Sequence, residues 1–194
     1  MGMANQADAF TQASGRLAAL CYREEIEMAL RTPGFGGFQL LDLQDFPGQG
    51  TALVGILNAF MESKGLIAAT QWRHFCGPVV PLARFDKFTW TTAETFKADI
   101  EIAHYGGQDI TPATLTWTCK VANAGTLASG ELTAPTLKQG GLRSMGVLAV
   151  PLTSTIAPAA LTLELAIKGT SIANSYTLWV YPDLPPPNDV LRMR

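Results

Sequence analysis

The chain has 194 residues, 47% of them hydrophobic and 15% charged, with a formal net charge of −2. That balance favours a packed fold over disorder, and it supplies no basic surface to hold nucleic acid. No run approaches the roughly 18 apolar residues that argue for a membrane span.

The first ten residues lack the basic region and the apolar core of a signal peptide, so none is expected. The compartment stays open. Cys21, Cys76 and Cys119 are odd in number and have no metal-type spacing. Each sits in an apolar pattern and reads as a buried free thiol.

Residues 9–31 carry a helical period. Leu17, Leu20, Cys21 and Met28 form one stripe, and Tyr22, Ile26, Ala29 and Leu30 form a second beside it. Arg23, Glu27 and Arg31 repeat every four residues, a ladder of favourable pairs expected on a solvated face. Pro33 predicts a helix end near Arg31.

Glycines and prolines then crowd both ends of a short apolar run, Phe38 to Leu43. The run is too short for a helix and reads as a buried strand. Asp42 and Asp45 stand where that strand stops. In parallel α/β folds, ligand residues gather just past the carboxyl end of a strand. The alternative is that Asp45 caps a turn and Asp42 merely ends the strand.

A second helix is predicted from Thr51 to Ser63, with Gly65 as its stop. A short helix follows through Trp72 and Phe75, capped by Thr70 and ended by Gly77-Pro78. Residues 79–94 look like an extended linker, where Pro81 limits any strand to an edge. Residues 1–78 therefore read as an α/β unit with a single strand. One strand cannot make a sheet, because its backbone groups need partners.

From Thr95 the period changes to two. Phe96, Ala98, Ile100 and Ile102 alternate with polar neighbours. So do Leu115, Trp117, Cys119 and Val121, and Leu161, Leu163, Leu165 and Ile167. Weaker runs cover 127–132 and 146–150, and Tyr176, Leu178 and Val180 close the set. Turns fall at Asn123-Ala124-Gly125, Gly140-Gly141 and Lys168-Gly169. This spacing predicts an immunoglobulin-like β-sandwich over 95–182. Residues 183–194, with Pro185-Pro186-Pro187, read as a tail.

Residues 14–17 and 22–55 resemble the glycoside hydrolase family 2 type, the β-galactosidase-like proteins. The stretch Gly36-Gly37-Phe38-Gln39-Leu40-Leu41-Asp42 is similar to the last barrel strand of that family. Asn174 and Trp179-Val180-Tyr181-Pro182 resemble the closing strand of the sandwich that follows the barrel there. The resemblance implies a fold in two parts: the last helix-strand-helix of a TIM barrel in 1–78, then the sandwich. It implies that the upstream barrel segment is missing. The family's two catalytic glutamates lie on the fourth and seventh barrel strands, so none is carried over to this chain. Glu24, Glu25 and Glu27 match no catalytic motif. Leu41 and Leu43 stand where the family's strand carries Trp.

Glycoside hydrolysis needs two carboxyl groups about 5 to 9 Å apart. Asp42 and Asp45 are weighed here as sugar-hydroxyl ligands, with Phe46 and Trp90 as aromatic stacking partners. His74 and His104 have no Ser or Cys partner that would make a triad. Gly34 to Gly37 precede the strand, whereas phosphate-binding glycines follow it, so nucleotide binding is rejected. No cofactor or metal is called for. The partner implied by the resemblance is a carbohydrate substrate of the intact parent. The alternative function is a non-catalytic carbohydrate-binding or structural sandwich module.

Overall fold

The computed structural model describes residues 2–50 and 53–184. A long helix, α1 (Ala7–Arg31), is followed by irregular chain and a short helix, α2 (Ala69–Phe75). Eight strands complete the described chain: β1 (Val79–Arg84), β2 (Thr89–Thr91), β3 (Thr95–His104), β4 (Ala113–Val121), β5 (Gly125–Ala134), β6 (Gly141–Pro151), β7 (Ala159–Ile167) and β8 (Ala173–Tyr181). They form a three-stranded sheet, β1-β3-β6, and a five-stranded sheet, β2-β8-β7-β4-β5. The pairings are antiparallel except β2 with β8.

Period-two segments become strands because one face of each can be buried against the other sheet. Phe96, Ala98, Ile100 and Ile102 of β3 face Leu115 and Cys119 of β4 and the leucines of β7 in one core. Leu161, Leu163, Leu165 and Ile167 are all buried. Tyr176, Leu178 and Val180 complete it from β8. At about 25 cal/mol per Å² of apolar surface removed from water, this face-to-face burial is the main stabilising term.

The sandwich begins earlier than the period-two pattern does. The expected linker, 79–94, holds β1 and β2. β1 pairs with β3 from Val79↔His104 to Arg84↔Asp99 and is an outer strand, the place where Pro81 is tolerated. Val80 and Leu82 are fully buried on its second face, beneath Leu30 of α1.

The N-terminal stretch departs from expectation in two places. Residues 37–42 form no strand; only single bridges occur, Gln44 with Leu57 and Leu57 with Ser63. A strand needs a neighbour to satisfy its ladder, and among the described residues none runs beside Phe38–Leu43. The helix predicted from Thr51 to Ser63 is also missing over 53–63, while Thr51 and Ala52 lie outside the described residues. Asn58 takes over there: its side-chain oxygen accepts from the amides of Phe60 and Glu62. Such side-chain bonds compete with helical ones, and a short helix without an apolar surface to pack on is marginal. Between α1 and α2 the described residues thus hold neither the expected strand nor the expected second helix. In the tail, residues 185–194 lie outside the described residues.

The helix ends are closer to expectation. α1 stops at Arg31, two residues before Pro33. α2 is capped by Ala68, whose amide donates to the Gln71 side chain, and not by Thr70. Of the three thiols only Cys119 is buried; Cys21 is exposed and Cys76 half-buried. Burial pushes the Cys119 thiol up to about 12.

Two surface carboxylates hold turns between strands. Glu94 accepts from Lys87 and from the Thr91 amide, and Asp109 accepts from the Gln139 amide and pairs with Lys138. The Lys87 ammonium, then the Thr91 amide, hold Glu94 below its ordinary 4.5; the Gln139 amide, then Lys138, hold Asp109 below 3.8. Depressed folded values favour the fold above the ordinary values, and that favour is lost as pH falls through the folded ones. The melting temperature should therefore fall on acidification below those ordinary values. Glu94→Gln should flatten part of that slope, and an unchanged slope would remove Glu94 as a contributor.

Candidate functional site

The expected site residues fall into two places. Asp42, Asp45 and Phe46 share the loop after residue 40, while Trp90 sits on β2 in the sandwich core. Asp45 is buried. Its Oδ1 meets Lys64 Nζ at 2.7 Å and accepts from the Gly55 amide at 2.9 Å. Lys64 also donates to the Gly55 carbonyl at 2.9 Å. This carboxylate braces two loop segments, and it does so because the backbone there is irregular and its polar groups need partners. A Cβ on Gly55 would come within 2.3 Å of the Gln44 backbone, so the two segments meet only at glycine.

Asp42 is half-buried and sits at φ 61°, a left-handed conformation that Asp tolerates better than most residues. Its carbonyl accepts from the Tyr22 hydroxyl at 3.3 Å. Burial, then the Asp42 charge, raise the Tyr22 phenol above its usual value. No ion pair among the described residues involves the Asp42 carboxylate, whereas Asp45 is held by Lys64. Phe46 is exposed beside it.

Trp90 is only 6% exposed. Its Nε1 donates to the Lys87 carbonyl at 2.9 Å, and its ring meets Phe96 edge-on at 5.5 Å. The ring face available to a cation is taken by Lys87 Nζ at 4.8 Å. In this conformation Trp90 is a core residue and does not join the loop aromatics.

A polar cluster lies where α1 meets the sandwich. Glu27, expected on a solvated face, is completely buried. Arg23 Nε lies 3.0 Å from its Oε1 and Arg31 Nη2 2.6 Å from its Oε2. Asn174 Nδ2 donates to Oε1 at 3.0 Å and the Tyr176 hydroxyl to Oε2 at 2.9 Å. The Arg23 guanidinium also stacks over the Tyr176 ring at 4.5 Å. The four-residue spacing places all three charges on one helix face, but spacing does not say what the face meets. Burial, then the Glu27 charge, push the Tyr176 phenol well above its usual range, so it stays a donor to the carboxylate.

The same cluster serves β1. The Ala83 amide donates to the Tyr176 hydroxyl at 3.1 Å. Arg31 donates to the Ala83 carbonyl at 2.8 Å, and Asn174 to the Pro81 carbonyl at 2.9 Å. Two cations and one anion leave the cluster with one net positive charge, and Arg31 Nε is buried without a partner among the described residues. The cluster joins helix to sandwich; it presents no reactive group to solvent.

The fold defines a two-sheet β-sandwich with an N-terminal helix docked by a buried ion cluster. A family described as a domain of unknown function (DUF8488) matches residues 94–182, from just before β3 to just after β8. No curated protein matches the chain. Similar solved structures include a red sea bream transglutaminase, at 12% identity and TM-score 0.41, covering 54% of this chain and 16% of that one. Another is the sporulation control protein Spo0M of Bacillus subtilis, at 18% identity and TM-score 0.38, covering 57% and 51%. A third is a β-glucuronidase of Parabacteroides merdae, at 13% identity and TM-score 0.38, covering 54% and 14%. The chain spans about half or less of the length of each of these.

Proposed function

We propose that this chain is the carboxy-terminal part of a family 2-type, β-galactosidase-like glycoside hydrolase, whose parent cleaves β-glycosidic bonds. In this reading residues 1–78 complete a (β/α)8 barrel, and the immunoglobulin-like sandwich follows it. The resemblance of residues 14–17 and 22–55 and of the β8 sequence motivates the family.

The observation that carries the reading is the apolar surface left in water by residues 10–61. Phe10, Leu17, Leu20, Met28, Leu41 and Phe60 are more than half exposed. Exposed apolar surface on that scale marks a face awaiting a partner. A barrel would cover it and would give Phe38–Leu43 the neighbouring strands its backbone lacks. Asp42 and Phe46 then sit at the carboxyl end of the eighth strand and contact the sugar, while Asp45 supports their loop.

The purified chain should not hydrolyse a nitrophenyl β-galactoside, because both family glutamates would lie upstream. Turnover abolished by Asp42→Ala would overturn that placement of the catalytic groups. Sequencing the gene upstream of Met1 tests the parent itself: the reading requires barrel strands in frame. A stop codon directly upstream, with no barrel sequence, would refute it.

A further inference from the structure

We propose that the outer face of the five-stranded sheet binds a neutral polysaccharide, whose sugar rings stack on Trp179 and Tyr181. This inference stands on the sandwich alone and does not depend on the barrel reading.

Tyr176, Leu178 and Val180 of β8 point into the core, so Thr177, Trp179 and Tyr181 point outward. Trp179 is 45% and Tyr181 48% exposed. Two residues apart on one strand, their Cα atoms lie about 6.7 Å from each other along the sheet. The rings therefore form a short row on a flat support. Sugar rings present C–H faces that stack on such aromatics, which combine a broad apolar face with a polar tip.

The residues around the row are threonines. In the parallel pairing with β2, Thr89 stands opposite Trp179 and Thr91 opposite Tyr181. In the antiparallel pairing with β7, Thr162 stands opposite Thr177, and the small Ala160 lies opposite Trp179. Hydroxyls that both donate and accept suit a ligand whose own polar groups are hydroxyls. β-branched residues also hold their rotamers on a strand, so the platform is ordered before a ligand arrives.

Charge selects among ligands. Lys120 and Glu164 on this face pair with each other at 2.7 Å, and Lys168 pairs with Glu131 at 3.0 Å. The face thus offers no net charge to a phosphate backbone or an acidic glycan, and a neutral glycan loses no ion pairing by binding there.

The test is native gel electrophoresis of the full chain through gels containing hydroxyethylcellulose, galactomannan or xyloglucan, with polygalacturonate alongside. Retardation is expected on at least one neutral polymer. Trp179→Ala should weaken it about tenfold, and the double variant with Tyr181→Ala should abolish it, while Trp179→Tyr restores most of it. Unchanged melting curves would show that these exposed substitutions leave the fold intact. Equal mobility in every gel, or equal retardation of wild type and double variant, would overturn the proposal. Stronger retardation by polygalacturonate than by any neutral polymer would overturn it too. So would self-association lost in Trp179→Ala without glycan binding, which assigns the face to a second copy of the chain.

Discussion

Glu27→Ala should release α1 from the sandwich, at a cost of about 3 to 5 kcal/mol in the docking of the helix. The substitution leaves Arg23 and Arg31 without their anion in a site where Glu27 itself is fully buried. It also removes the acceptor of the Tyr176 hydroxyl and one acceptor of the Asn174 amide, which keeps the Pro81 carbonyl. Groups left buried and unpaired cost more than the pair was worth. Glu27→Gln keeps the shape and part of the hydrogen bonding, so it should cost less than alanine. Hydrogen exchange resolves the two halves. Amides of 20–31 should lose protection in Glu27→Ala while amides of 161–167 keep theirs. A loss of helix docking below about 1 kcal/mol would show that the cluster is not what holds α1.

Phe96→Ala should cost the sandwich about 3 to 5 kcal/mol. Phe96 is fully buried at the meeting of the two sheets. Its ring meets Phe85 edge-on at 5.6 Å and Trp90 at 5.5 Å. Those rings are held by their own packing and cannot collapse into the space left behind, so the cavity term adds to the lost transfer energy. Urea unfolding should show a lower midpoint with an unchanged slope. A midpoint within error of wild type would mean that the core repacks freely there.

β3, β4, β7 and β8 were legible because each buries one face and wets the other, which writes a period of two into the sequence. β1 was not, and its burial explains why. Val80, Leu82 and Ala83 are all buried, with α1 over one face and the sandwich core behind the other. A strand covered on both faces has no alternation to show. The Arg23-Glu27-Arg31 ladder was legible as one face but not as a buried one, because its partners Asn174 and Tyr176 arrive from the far end of the chain. Of the candidate site, the sequence put Asp42 at the end of a strand with Asp45 and Phe46 just after it, whereas all three lie in irregular chain because no ladder forms there. It could not tell that Lys64 would occupy Asp45, nor that Trp90 would be drawn inward by Phe96.

The polar atoms along the outer side of β1 have a further consequence. A strand at a sheet margin is ordinarily a template on which another chain can add itself, the first step of many aggregates. Here the Pro81 carbonyl and both polar groups of Ala83 are taken by side chains from α1 and β8, and Pro81 has no N–H to offer. No incoming strand can satisfy its own ladder against that margin without first displacing Arg31, Asn174 and Tyr176. Arg31 of the docked helix and Asn174 and Tyr176 of β8 thus together keep copies of this protein from zipping together at β1, and losing the helix opens only the Ala83 carbonyl.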